Sequence, residues 1–169
     1  GNGGRLYTDH AHPEYSSPET ANPREAVLWD RAGEAIAQEA MEIGSRHGRE
    51  FVLYKNNVDG KGAAYGSHEN YLISRKLEFP ILVKQLVPFL VTRQILVGAG
   101  KTHPHGGPLP GSTDPQATTG IPSYSFSQRA DHIWEAASTS TSRTRPLINT
   151  RDEPHARTTT YGRLHVING

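Results

Sequence analysis

The stretch Arg5-Leu6-Tyr7-Thr8-Asp9 carries a cation, a phenol and a carboxylate at every second position. Read as a β-strand, it turns Arg5, Tyr7 and Asp9 to one face, because successive strand side chains point to opposite sides. Such a trio makes a poor apolar core and a good floor for an anionic ligand and its metal. Glu14, just beyond the strand, can swing back to offer a hard oxygen of the kind Mg²⁺ prefers. The plain alternative is an exposed sheet face with a surface ion pair between Arg5 and Asp9, and spacing alone does not choose between them. A further alternative makes His10-x-His12 a zinc pair on one strand face, although a chain with nine histidines produces such pairs incidentally.

Other candidates are scattered along the chain. His68 stands in Gly66-Ser67-His68-Glu69-Asn70-Tyr71, at a strand entrance, and His165 sits between Leu164 and Val166, pointing away from both. Each reads as a hydrogen-bonded structural group or as a ligand. Arg129 and Arg151 follow the strand candidates Ser125–Gln128 and Leu147–Thr150, and guanidinium forks suit bidentate contacts to phosphate. Arg143, Arg145 and Arg157 lie in polar stretches and are expected to be solvated. Two glycine-rich segments are set aside. Gly98-Ala99-Gly100-Lys101-Thr102 ends like a phosphate loop, but Ile95 stands where the first glycine belongs and His103-Pro104-His105 replaces the helix such a loop needs. Gly60-Lys61-Gly62 followed by Gly66 misses the dinucleotide fingerprint by one residue.

The elements that must position these groups are partly legible. Asn22 as N-cap, Pro23 at the first helical position and Glu25 three residues after the cap open a helix in which Leu28, Ala32, Ile36, Ala40 and Ile43 recur at helical spacing. Gly44 or Gly48 can end it. Phe51–Lys55 reads as a buried strand, Asn56–Gly66 as a loop with a turn at Asp59-Gly60, and Tyr71–Ser74 as another extended run. Pro80–Val97 reads as a helix broken near Pro88. The Pro- and Gly-rich residues 101–122 read as a flexible insertion. Tyr124–Arg129, Leu147–Arg151 and Arg163–Ile167 complete the strands, and this mixture of strands with two long helices predicts an α+β domain.

Composition excludes more than it identifies. The chain has 169 residues, 18 Lys+Arg against 17 Asp+Glu, and no cysteine. A net charge of +1 gives no reason to expect a nucleic-acid or membrane partner. Lys84, Gln85, Arg93 and Gln94 interrupt the apolar stretch from Phe79 to Gly100, which is therefore not read as a membrane span. Without cysteine there are no disulfides, thiolate zinc sites or cysteine nucleophiles, which fits a reducing, cytoplasmic setting. No signal peptide opens the chain, and the final strand pattern stops abruptly, so the expectation is an internal piece of a longer protein.

Five segments together resemble one family. They are Asp9-His10-Ala11-His12-Pro13-Glu14-Tyr15-Ser16, Tyr54–Gly62, Ser67-His68-Glu69-Asn70-Tyr71, Ser127-Gln128-Arg129 and Asn149–His155. The family is that of Pup ligases and Pup deamidases/depupylases, and the resemblance covers almost the whole chain apart from 101–122. It implies a glutamine-synthetase-like (carboxylate-amine ligase) antiparallel sheet with helices on one face, incomplete here. Residues 1–169 would then be an internal part of a single catalytic domain. It implies ATP and Mg²⁺ as cofactors, Pup and pupylated proteins as partners, and a link to the bacterial proteasome pathway. Carried over, it makes Asp9 the catalytic carboxylate, Arg5, Ser17, Arg129 and Arg151 nucleotide contacts, and Tyr7, Glu14, His68 and His165 metal-site residues.

Within the family, the segment from His10 to Ser17 looks like the deamidase, since ligases usually have one more residue between the aspartate and His-Pro-Glu. Asp59-Gly60-Lys61-Gly62 and Ala26-Val27-Leu28-Trp29-Asp30 point the same way, whereas Phe89–Gln94, Gly98–Lys101 and His132–Glu135 look more like the ligase. The reading is ATP/Mg-dependent deamidation of the C-terminal Gln of Pup and cleavage of the Pup–lysine isopeptide bond. The alternatives are a Pup–protein ligase and a non-catalytic nucleotide-binding fragment. The last stays open because the family's opening Glu-x-Glu metal strand has no counterpart here and Ala156-Arg157-Thr158-Thr159-Thr160 replaces an acidic stretch.

Overall fold

A computed structural model describes residues 1–59, 61, 63–107, 109–114, 117–141 and 144–167. The Asp59-Gly60 turn, Gly62 and Arg143 are among the sequence features that fall wholly or partly outside the described residues. The chain divides into two compact units, Gly1–Lys55 and Asn56–Gly169.

The first unit is a hairpin and a helix. Strand β1 (Arg5–Asp9) pairs antiparallel with β2 (His12–Ser16), from Arg5 opposite Ser16 to Asp9 opposite His12. The second strand was not anticipated, because Pro13 and a turn made of His10-Ala11 carry no hairpin signature. Both turn residues nevertheless adopt the left-handed region, with φ of 46° and 63°. A two-residue hairpin demands that region because only then does the turn's twist match that of the strands. Helix α1 (Pro23–Ser45) begins as its sequence predicts: Asn22 Oδ1 accepts from the Glu25 amide at 3.0 Å, and Glu25 Oε2 accepts from the Ala21 amide at 3.0 Å.

Gly33 is the buried residue of α1, and a Cβ built there would lie 2.3 Å from Cδ1 of Tyr15. The helix therefore meets β2 through an aromatic ring laid on bare backbone. Gly33→Ala should lower stability by about 1–2 kcal/mol, since expelling the ring outweighs the roughly 1 kcal/mol gained in helix propensity. Chemical denaturation checks this, and the intrinsic propensity alone predicts the opposite sign. The Leu28–Ile36–Ile43 stripe is exposed in this structure. Phe51–Lys55 is not a buried strand: it makes no ladder among the described residues, and Tyr54 is 84% exposed. An apolar run becomes a strand only where another strand offers it hydrogen bonds.

The second unit is built on a four-stranded sheet in the order β3 (Glu69–Ser74), β8 (Tyr161–Val166), β7 (Arg145–Asn149), β6 (Ile133–Ser138). The sheet is mixed and not wholly antiparallel, because β6 and β7 run parallel. The last strand, expected to stop with unpaired neighbours, lies inside the sheet with β3 on one side and β7 on the other. Helix α2 (Phe79–Thr92) lays Leu82, Val83, Leu86, Val87 and Leu90 on Leu147, Ile148, Leu164 and Val166, which form the core. By length and composition Phe79–Val97 meets the criteria of a membrane span, with a mean hydropathy of 1.4 over its most apolar window. In this fold its inner side packs on the sheet.

The expected break at Pro88 falls instead at Arg93, between α2 and α3 (Gln94–Val97). Pro88 stays within the helix. Arg93 makes a two-pronged ion pair with Glu69 of β3, which also accepts from the Tyr71 hydroxyl at 2.6 Å. Burial works against the Glu69 charge, yet Arg93 and Tyr71 hold its carboxyl below the usual range; burial and Glu69 together push Tyr71 up to about 12. The 101–122 stretch begins in β4 (Lys101–His103), which pairs with β5 (Ser123–Ser125), and between them Leu109 and Thr119 donate backbone bonds to Ala117 and Gly107. β5 is shorter than expected: Ser127 Oγ accepts from the Arg129 amide at 3.3 Å, turning the chain toward a 3₁₀ turn at Ala130–His132.

Candidate functional site

The candidate residues divide between the two units. On the hairpin, residues opposite one another share a face, so Arg5, Tyr7, Asp9, His12, Glu14 and Ser16 lie on one side while Tyr15, on the other, meets Gly33. Tyr7 donates to Glu14 Oε2 at 2.7 Å and accepts from Ser16 Oγ at 3.4 Å. The Ser16 bond lowers the phenol's pKa, but Glu14, burial and Asp9 outweigh it and the net shift is upward. Glu14 thus reaches Tyr7 from a paired strand rather than from a loose loop. The surface pair considered for Arg5 and Asp9 does not form; Asp9 Oδ1 instead meets His10 Nδ1 at 2.6 Å. His10 belongs to the turn, so it shares no strand face with His12 as a zinc pair requires. Ser17 follows β2 and is exposed.

On the sheet, the register carries one polar row across all four strands: Asn70 opposite His165, His165 opposite Asn149, and Asn149 opposite Ser138. The row lies on the face opposite Val166, Leu164 and α2. His165 Nε2 meets His68 Nδ1 at 3.0 Å, and Arg163 Nε donates to Asn70 Oδ1 at 2.8 Å. Asn149, 1% exposed, spends its whole amide on the backbone, donating to Ser140 O at 3.0 Å and accepting from the Arg151 amide at 2.9 Å. This side-chain turn ends β7 before Thr150 and sets where Arg151 leaves the sheet. Arg129 is 1% exposed; its Nε donates to Ile167 O at 3.2 Å and its Nη1 has no partner. Asn70, Asn149 and Arg163 were missed in the sequence, although Arg163 and His165 show the period-two spacing that could have found Arg163.

Burial, reinforced by Arg163, His68 and Arg151, pushes the His165 imidazole down to about 4. Its folded pKa lies below the unfolded value of 6.5, so the unfolded chain binds protons first as pH falls. The contribution is fully present above about pH 6.5 and is lost toward pH 4, on the order of 3 kcal/mol for the metal-free protein. Urea midpoints across that window should fall with acid and should flatten in His165→Gln.

Two buried atoms test the fit of the cofactors named above. The unpartnered Nη1 of Arg129 suits an anionic oxygen, and the unpartnered Nδ1 of His165, at 7% residue exposure, suits a cation or a donor. Glu14 with Tyr7 supplies the hard oxygens Mg²⁺ prefers. Among the described residues no three His, Asp or Glu side chains converge as a ready metal cage. The candidates pair off as Tyr7 with Glu14 and His68 with His165.

The family model described as Pup-ligase protein matches residues 1–169. The chain belongs to the Pup ligase/deamidase family. The Pup–protein ligase of Rothia mucilaginosa is 65% identical over 180 residues, covering 99% of this chain and 36% of that protein. The Pup deamidase/depupylase of Mycolicibacterium smegmatis is 48% identical over 174 residues, covering 99% of this chain and 32% of that protein. Among solved structures, the Pup ligase PafA in complex with ADP matches with a TM-score of 0.82 at 43% identity, over 99% of this chain and 36% of PafA. The Pup-ligase fold is glutamine-synthetase-like, and this chain spans about a third of the length of the relatives it matches.

Proposed function

We propose that the chain carries the catalytic carboxylate and much of the nucleotide site of an ATP/Mg-dependent Pup deamidase and depupylase. Asp9 either attacks the terminal amide or isopeptide carbon, expelling the amine and forming a mixed anhydride that water then hydrolyses, or takes a proton from a water that attacks directly. In both, a proton that originates from water ends on the departing ammonia or lysine amine, and the second product is the Pup carboxylate. Arg5, Ser17, Arg129 and Arg151 bind the nucleotide; Tyr7, Glu14, His68 and His165 serve Mg²⁺. A Mg-nucleotide held by these residues would supply positive charge for polarising the amide carbonyl. Pup and pupylated proteins of the bacterial proteasome pathway are the substrates, and the cysteine-free composition suits the cytoplasm.

The observation favouring hydrolysis over ligation is the hairpin tip. With only His10 and Ala11 between the strands, Asp9 is the last paired residue before the turn; the ligase pattern, one residue longer, would need a different turn. The ligase is the second reading, favoured by the higher identity of the Rothia mucilaginosa protein named for that activity.

Product accounting tests the pair. Pup ending in Gln should release ammonia without matching ADP. Pup ending in Glu with a lysine acceptor, yielding conjugate and ADP in step, would overturn the proposal in favour of the ligase.

A further inference from the structure

The arginines of the second unit fall into two groups. Arg75 pairs with Asp152 at 2.5 Å, Arg93 with Glu69, and Arg163 with Glu153 at 3.6 Å. Arg129, Arg145, Arg151 and Arg157 have no carboxylate partner among the described residues, and of these Arg129 is buried and Arg145 half-buried while Arg151 and Arg157 are exposed. Burial and then Arg145 pull the Arg129 guanidinium down to about 10. Burial and then Arg145 also push His132 down; Asp131 opposes them, and Arg129 adds a smaller push in the same direction as Arg145. Ile167, whose carbonyl takes the Arg129 bond, donates its own amide to the Leu147 carbonyl, two residues along β7 from Arg145, so both arginines belong to the same stretch of that strand.

Arg145, expected to be solvated, is half-buried at the start of β7 and donates from Nη1 to the Ala64 carbonyl at 2.8 Å. That bond goes to a neutral carbonyl, so the Arg145 charge has no carboxylate beside it and its remaining donors are open to solvent or a ligand. Arg129 is the buried cation of the two, costly to hold without a counter-charge, and a second cation nearby raises that cost. The arrangement makes sense when an anion lies across both.

We infer that Arg145 completes, with Arg129, a two-guanidinium seat for a phosphate-class anion. The inference rests on the reading of Arg129 as a nucleotide contact and adds a residue that neither the motifs nor the spacing assigned. Two forks approaching one group from β7 and from the 127–129 turn can satisfy several oxygens at once, which a single guanidinium cannot.

Calorimetric titration with ADP and, separately, with pyrophosphate tests it. Arg145→Gln keeps an amide donor for the Ala64 carbonyl and removes the charge. It should weaken both ligands by about 10-fold or more, without lowering the thermal midpoint of the ligand-free protein, and Arg145→Lys should recover part of the loss. Wild-type affinity for ADP in the Gln variant would overturn the seat and leave the nucleotide reading standing. Pyrophosphate binding that depends on Arg145, in a protein that ignores ADP, would support the seat and defeat the nucleotide reading. A wild-type protein that binds neither overturns both.

Discussion

Asp9→Asn should lower turnover of Pup ending in Gln by about 10³-fold, in the range ascribed to a positioned acid–base group. The asparagine is nearly isosteric, so β1 and β2 should still pair and affinity for ADP should stay within about threefold of wild type, a split that marks lost chemistry and not lost binding. What disappears is the anionic oxygen at the end of β1 that now meets His10 at 2.6 Å. Ammonia release measured beside ADP affinity makes the test, and undiminished turnover removes Asp9 from the chemistry.

Arg129→Met should separate stability from binding. ADP affinity should fall on the order of 10- to 100-fold, the value of a charge-assisted fork. The ligand-free protein should be as stable as wild type or more so by about 1 kcal/mol, because methionine fills the site without an unpaired buried cation. The lost bond to the Ile167 carbonyl offsets part of that gain. A thermal midpoint that drops by several degrees in the absence of ligand would mean that Arg129 is a structural pillar and not a ligand-binding group.

What the sequence revealed depended on how local the cause was. Asn22, Pro23 and Glu25 cap α1 within one turn of one another, so the helix start could be read directly. Strand β1 was equally legible from its alternation. By contrast, the end of α2 is set by Glu69, far away in sequence on β3, so the visible proline drew attention to the wrong residue. Strand β2 was hidden because its turn uses His10 and Ala11, which pay a conformational penalty that glycine would avoid. The extended Phe51–Lys55 run carries apolar residues but no neighbouring ladder, which composition does not report.

The site shows the same division. Arg5, Tyr7 and Asp9 share a face because strands alternate, and the structure keeps them there. The pairing of His68 with His165, and of Asn70 with Arg163, joins residues more than ninety positions apart and exists only through the β3–β8 register. The motif resemblance supplied His68 and His165 without that geometry. Arg145 looked solvated because its neighbours are polar, yet the strand it begins is among the most buried in the chain.

Side-chain ¹⁵N NMR of the arginines during titration with Mg-ADP tests the account most directly. The guanidinium signals of Arg129 and Arg151 should shift and sharpen as ADP saturates, while those of Arg75 and Arg31, already paired with Asp152 and Glu34, stay in place. ADP that binds while Arg129 and Arg151 remain unmoved would contradict the placement of its phosphates on this sheet.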